Sequence, residues 1–288
     1  MTETFPLTNP IWCAGCGHFG VLSALDGSFD RLGVPRHESM VLAGIGCSGT
    51  IQNHVESNGY HSLHGRVLPT AAGAKLANPG LTVVAAGGDG DGLAIGMGHL
   101  VHSFRTNPGF TYLLMNNATY GLTKGNVSPS SPDGYKGATA GRETDAIMLG
   151  LSLSGTTFLA RGYSGHSEQL TELTDAAITH SREGKGFAFL EIISPCVAYN
   201  DRYQDWRSQL HDVGSEPGYD PTNRAAAFAL ALDLKAKGKL ATGLVFKGEQ
   251  ESLESTLGVS VANAPARQDI TSGAHRSEYQ SLVDSFRG

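Results

Sequence analysis

The chain has 288 residues, enough for one large α/β domain, or one and a half ordinary ones, with a sizeable core. Its net charge of −6 and its scattered lysines and arginines argue against nucleic acid or an anionic membrane as a partner. Its 38 glycines come without Pro or Ser enrichment, so they read as turns and close approaches in a folded chain rather than as disorder. No apolar run reaches transmembrane length, and the opening MTETFPLTNPIW lacks a signal-peptide pattern, so a cytoplasmic protein is expected. Four cysteines in such a reducing compartment point to metal or redox ligands before disulfides.

Cys13-Ala14-Gly15-Cys16-Gly17 comes first, directly after Trp12. Redox dithiols, zinc knuckles and iron–sulfur sites all use this spacing, and the glycines let backbone N–H groups turn toward bound sulfur or phosphate. A helix carrying Val21, Leu22, Leu25, Phe29 and Leu32 begins there, with His18 read as a polar cap at its start. Residues 40–45 form a buried strand, and Gly46-Cys47-Ser48-Gly49 turns at its end, placing a third cysteine as a ligand at the sheet edge. His54 and then, in the loop SNGYHSLHGR, His61 and His64 follow, at spacings that do not suit zinc. His64-Gly65-Arg66 suits substrate or phosphate better, ahead of a helix at 68–76.

The densest signal is the stretch from Gly88 to Asn117. Apolar runs at 81–86 and 112–115 read as buried parallel strands, with Leu93, Met97, Leu100 and Phe104 at helical spacing between them. In a strand–helix–strand unit the two strand ends lie side by side at the carboxyl edge, where doubly wound sheets bind ligands. Asp89 and Asn117 are therefore expected neighbours. One carboxylate and one amide oxygen suit Mg2+, which takes its other ligands from phosphate and water, and the glycines flanking Asp89 admit a phosphate to backbone N–H groups. A Mg2+–diphosphate site follows. Gly88-Asp89-Gly90, then 25 residues, then Asn116-Asn117 resembles the fingerprint of thiamine diphosphate enzymes. That resemblance implies Asp89, Asn117 and the backbone oxygen of Thr119 as the Mg2+ ligands.

Beyond Asn117 a long loop, 118–141, begins with Tyr120-Gly121-Leu122-Thr123-Lys124-Gly125 and continues through SPSSPDG, beside the cofactor and placed to shape a substrate pocket. A strand at 157–160 leads to a helix with Ser167 as its N-cap, and a strand at 187–193 delivers Pro195-Cys196. Cys13, Cys16, Cys47 and Cys196 can thus converge. After 199 a helix at 224–235 and a strand at 243–246 are expected, then a polar end that wraps a neighbour or forms a tail. The division is a cofactor-binding α/β domain at 1–200 and an extension at 201–288 packing on it or on a partner.

Four thiolates could hold structural zinc or a [4Fe-4S] cluster. With the intervening motifs they closely resemble the β subunit of 2-oxoacid:ferredoxin oxidoreductases, across residues 12–200. The motifs are WCxGCG, GIGCS, LHGR, GDGDG, NNxxYGLTKG and PC, and Ala14 departs from the proline often found there. The resemblance implies a doubly wound, mostly parallel sheet and a [4Fe-4S] cluster on Cys13, Cys16, Cys47 and Cys196. It also implies a thiamine diphosphate site lined by Ile45, Gly46, Cys47, Ser48, His64, Gly90, Asp91, Gly121 and Leu122. The implied reaction oxidatively decarboxylates a 2-oxoacid to acyl-coenzyme A and CO2, with electrons leaving through the cluster to a ferredoxin, or runs in reverse to fix CO2. The carboxylate that activates the thiamine is missing from the motifs and is implied to come from a larger partner subunit. Leu122 is expected to face the substrate beside His64. The YGLTKG form resembles 2-oxoglutarate or broad-specificity members, favouring 2-oxoglutarate over pyruvate, with Arg66, Lys124 or His54 as the cation for its distal carboxylate. The rivals are a thiamine decarboxylase or synthase with a structural metal site and a non-catalytic electron-transfer or assembly subunit.

Overall fold

The structure, a computed structural model, describes residues 7–137, 143–269 and 276–287. Residues 138–141 of the expected loop, 270–275 and 288 of the C-terminal stretch, and residues 1–6 lie outside the described residues. Among the described residues eight strands form one sheet: β1 Ser39–Ala43, β2 Asn58–His61, β3 Thr82–Gly88, β4 Thr111–Asn116, β5 Phe158–Tyr163, β6 Ala188–Ile193, β7 Leu210–Asp212 and β8 Leu240–Lys247. Their order is β2-β1-β3-β4-β6-β5-β8-β7. The first six in that order are parallel, β8 runs antiparallel to β5, and β7 is parallel to β8.

Side chains alternate across the sheet, so a strand covered on both faces needs apolar residues at every position. Val83 and Ala85 of β3, with Tyr112 and Leu114 of β4, join one core, while Val84, Ala86, Leu113 and Met115 join the other. The second core is covered by α1 (His18–Arg31) and α5 (Ser167–Arg182). The first is covered by α2 (Val67–Ala77), α3 (Met97–Thr106), α4 (Ala146–Leu151) and α7 (Arg224–Ala236). The remaining helices are α6 (Tyr203–Gln209), α8 (Leu253–Thr256) and α9 (Arg276–Ser285). Among the described residues, no helix is long and apolar enough to cross a membrane.

Four local departures from expectation have physical reasons. The polar stretch after His54 contains β2, an edge strand whose four residues are all exposed and so carry no apolar alternation. The helix after Gly90 opens with a π turn, Asp91–Ile95, closed by Gly96 N–H donating to Asp91 O at 2.9 Å. Ser167 is the first residue of α5; His166 holds the cap position, without a side-chain bond. Residues beyond 200 enter the sheet itself: β8 pairs with β5, and Ala227, Leu234 and Val245 belong to the first core.

Candidate active site

Strands β3 and β4 pair in parallel register, Gly88 against Met115, so the turns that follow them meet. Asp89 opens the first turn and is buried. Burial pushes its carboxyl from an ordinary 3.8 up to about 6, against the pull of hydrogen bonds from Ser128 and from nearby backbone N–H groups. The Ser128 Oγ donates to Asp89 Oδ2 at 2.5 Å. In the second turn Asn117 Oδ1 accepts from Thr119 N at 3.1 Å, and its backbone oxygen accepts from Asn200 Nδ2 at 2.9 Å. Ala118 between them takes the left-handed conformation, φ 52°, with its carbonyl held by Ser131 Oγ at 2.7 Å.

Asp89, Gly90, Asp91, Asn117, Thr119, Gly121 and Leu122 line one cavity of about 120 Å³ with Ile45, Gly46, Cys47, Ser48 and His64. Every residue expected at the thiamine and Mg2+ sites is thus in one place. Asp91 braces this wall. Its Oδ1 accepts from Ile45 N at 3.0 Å and Gly65 N at 2.8 Å, tying the turn after β1 to the start of α2. A side chain at Gly44 would run into that carboxylate, so glycine is required there. His64 Nδ1 lies 3.0 Å from Asp91 Oδ1 but out of hydrogen-bond geometry, and it shares with Ser48 Oγ the state of a buried polar atom without a partner. Those two atoms and the protonatable Asp89 fit an anionic ligand that arrives with its own cation, as a Mg2+–diphosphate does.

The four cysteines line a second cavity, of about 390 Å³. Cys196 is buried, Cys16 and Cys47 are half-buried, and Cys13 is exposed. Gly17 N–H donates to Pro195 O at 3.1 Å and Trp12 Nε1 to Cys47 O at 2.7 Å, so the CxxC turn is tied to both other cysteine turns. Burial pushes the Cys16 thiol up to about 11; the His18 backbone N–H opposes this, and the other three cysteines add to it. Cys47 is raised, first by burial and then by Cys196 and Cys13. Bare, Cys16 and Cys47 keep their protons, and a cationic iron centre is what would make them thiolates. Among the described residues, no group of three or more His, Cys, Asp or Glu side chains is arranged as a metal cage. The two cavities share a wall made of Ile45, Gly46, Cys47, Asn117, Gly121 and Leu122.

Three expected substrate contacts lie elsewhere. Arg66 donates to His99 Nε2 at 3.0 Å, Lys124 is exposed, and His54 donates through Nδ1 to Thr8 O at 2.7 Å with its ring against Trp12. None of the three lines either cavity. Leu122 does line both, and is 60% exposed at their mouth. His18 is not a cap: its ring is buried, lines the smaller cavity and pairs Nδ1 with Ser194 Oγ at 2.6 Å, and burial lowers its pKa to about 4. Ser128 and Asn200 had no spacing signal in the sequence; only the loop's return toward Asp89 and Asn117 reveals them.

Residues 44–192 match the family described as thiamine pyrophosphate enzyme, C-terminal TPP binding domain. The chain is 38% identical over 261 residues to the 2-oxoacid:ferredoxin oxidoreductase 2, subunit beta, of Aeropyrum pernix, covering 85% of this chain and 83% of that one. It is 33% identical over 272 residues to the 2-oxoglutarate synthase subunit KorB of Methanothermobacter marburgensis, covering 93% of each. Among solved structures it resembles the 2-oxoglutarate:ferredoxin oxidoreductase from Magnetococcus marinus with 2-oxoglutarate, coenzyme A and succinyl-CoA bound. There the TM-score is 0.81 at 32% identity, over 96% of this chain and 93% of the other.

Proposed function

Because the chain belongs to the thiamine pyrophosphate enzymes and, within them, to the β subunits of 2-oxoacid:ferredoxin oxidoreductases, we propose that it is the cofactor-bearing half of a cytoplasmic enzyme that turns 2-oxoglutarate and coenzyme A into succinyl-coenzyme A and CO2. Cys13, Cys16, Cys47 and Cys196 would hold a [4Fe-4S] cluster, which would supply one-electron transfer to a ferredoxin. The observation that carries this reading is the shared wall: a diphosphate cradle and a four-thiol cavity with six residues in common leave little distance for electrons to cross.

When bound, thiamine diphosphate supplies the carbon nucleophile and the electron store that decarboxylation of a 2-oxoacid needs. The chain's residues do the rest. Asp89, Asn117 and the Thr119 backbone oxygen would hold Mg2+ against the diphosphate, Ser128 orients Asp89, and Ser48 and His64 would donate to phosphate oxygens. Asp91 keeps the turns after β1 and before α2 at the distance the cofactor requires. The cradle's roughly 120 Å³ suits a diphosphate and its ion rather than a whole cofactor, which supports a larger partner subunit closing the other end.

The substrate assignment rests on the KorB relative and on the 2-oxoglutarate bound in the similar structure, together with the apolar Leu122 at the mouth. Since Arg66, Lys124 and His54 do not line the site, the cation that receives the distal carboxylate comes from the partner subunit. The test is to reconstitute the two-subunit enzyme and compare kcat/KM for 2-oxoglutarate, pyruvate and a branched 2-oxoacid. A clear preference for 2-oxoglutarate is expected, with no viologen reduction by the lone chain. Preference for pyruvate overturns the substrate, and robust activity of the lone chain overturns the division of labour.

A further inference from the structure

Behind the Mg2+ cradle, the sheet carries charged side chains that the reaction leaves unused. Glu191 of β6 and Arg161 of β5 are register partners, and both are buried. Glu191 Oε2 accepts from Arg161 Nε at 2.8 Å, and Arg161 Nη2 donates to Asp145 Oδ1 at 2.8 Å. Lys235 reaches Asp145 Oδ2 at 3.3 Å, so the row of charges runs outward to the surface on that side. On the other side it ends on the cradle. Glu191 lies opposite Leu114 of β4, and Asn116, two residues further along the same face, donates its Nδ2 to Glu191 Oε1 at 2.7 Å.

That hydrogen bond fixes which way the Asn116 amide faces. With Nδ2 held by Glu191, its Oδ1 is left to accept from Ala118 N at 2.9 Å. Ala118 is the residue held at φ 52°, and its neighbours are Asn117 and Thr119. An amide free to flip would present N–H to N–H at Ala118, and the turn would lose the bond that holds it in the left-handed region. A buried ion pair is often no better for stability than a packed apolar pair, so the fold itself does not require a carboxylate at 191. What an apolar residue cannot do is accept from Asn116.

We propose that Glu191 is a positioning residue for the cofactor: it orients Asn116, and through it the 117–119 turn that presents Asn117 and Thr119 to Mg2+, with Arg161, itself anchored on Asp145, holding Glu191 in register. This rests on the reading of that turn as the Mg2+–diphosphate cradle.

Two double variants of the full two-subunit enzyme isolate the bond. R161M/E191M replaces the pair with apolar side chains of similar size and leaves Asn116 without an acceptor. R161M/E191Q removes the same charges but restores an acceptor. Thiamine diphosphate affinity in the presence of Mg2+ is measured by titration calorimetry, with melting temperature and iron content as controls. In R161M/E191M, Kd and the apparent KM for thiamine diphosphate are expected to rise roughly 10- to 100-fold, the range of one hydrogen bond to a charged group. The kcat at saturating cofactor and the iron content should hold, and R161M/E191Q should recover to within a few-fold of wild type. Glu191→Gln alone keeps the volume and the acceptor, and is expected to bind within a few-fold of wild type even if the double variants fold poorly. Wild-type affinity in R161M/E191M, equal losses in both double variants, or a loss in Glu191→Gln as large as that of R161M/E191M overturns the proposal. Failure of the wild-type enzyme to bind thiamine diphosphate at all would overturn the cradle reading beneath it.

Discussion

Asp89→Asn is expected to stabilise the enzyme stripped of Mg2+ and thiamine diphosphate while abolishing its response to them. Asp89 is buried and its carboxyl titrates near 6 rather than 3.8. The folded state therefore holds this proton more tightly than the unfolded chain does. The stabilisation that brings is complete below about pH 3.8 and is lost as pH rises through 6. The shift of roughly two units amounts to about 3 kcal/mol at pH 7, at about 1.4 kcal/mol per unit. Asparagine keeps the shape and the bond to Ser128 without a charge to desolvate, so the gap between variant and wild type should grow from near zero around pH 4 to about 3 kcal/mol at pH 7. For a chain of this size that is roughly 6 °C in melting temperature. The assay is a pair of thermal melts across pH, with and without Mg2+ and thiamine diphosphate. The wild type should rise steeply with the additions and the variant barely. A stripped variant less stable than stripped wild type at pH 7, or equal gains from the additions, would refute the account of Asp89 as a metal ligand strained by burial.

Two further substitutions separate the cavities. Cys196→Ala should remove the visible absorbance of the anaerobically purified protein and drop its iron and sulfide well below the roughly four of each expected per wild-type chain, while thiamine diphosphate binding is weakened but not abolished; one zinc and no sulfide in wild type would show that the thiols serve another ion. Gly44→Ala should press the Asp91 carboxylate off Ile45 and Gly65, costing about 1–3 kcal/mol in a denaturant melt and weakening thiamine diphosphate binding, with iron content unchanged; unaltered cofactor affinity would show that Asp91 does not govern the cradle.

What could be read from the sequence follows from where each residue is buried. β3 and β4 are covered on both faces, so they announce themselves as unbroken apolar runs, and the βαβ rule then places Asp89 beside Asn117. β2 is uncovered and all its residues are exposed, so its Asn-Gly-Tyr-His carries no pattern to read. The place of His54 has the same root: the sequence around it shows no face, and nothing in the spacing says that its ring turns to Thr8 and Trp12. Ser128 sits in a serine- and proline-rich loop where any hydroxyl could have been the one on Asp89. A signal did exist for Glu191 and Arg161. A lone acid in the run AFLEII and a lone base in FLARGY, each inside a buried strand, must find a partner, and each is the other's.

The same burial that hides these groups sets the order in which the site can be filled. In the bare chain Asp89 is pushed up to about 6 and Cys16 to about 11, with Cys47 also raised, so desolvation keeps those two thiols protonated and leaves Asp89 as a carboxylate poorly supported at neutral pH. Loading iron must expel thiol protons, whereas loading Mg2+ at pH 7 finds a carboxylate already ionised and relieves its desolvation. Higher pH should accordingly favour cluster assembly well past neutrality, yet its gain for Mg2+ binding should level off as pH rises past the Asp89 value of about 6, where the carboxyl sheds the last of its proton. The two cavities share Cys47, which is thiol to one and wall to the other. Fixing its sulfur in a cluster also fixes the turn from Gly46 to Ser48 that the diphosphate must meet, so cluster assembly prepares the cradle, and a protein depleted of iron should bind thiamine diphosphate more weakly than one that holds it.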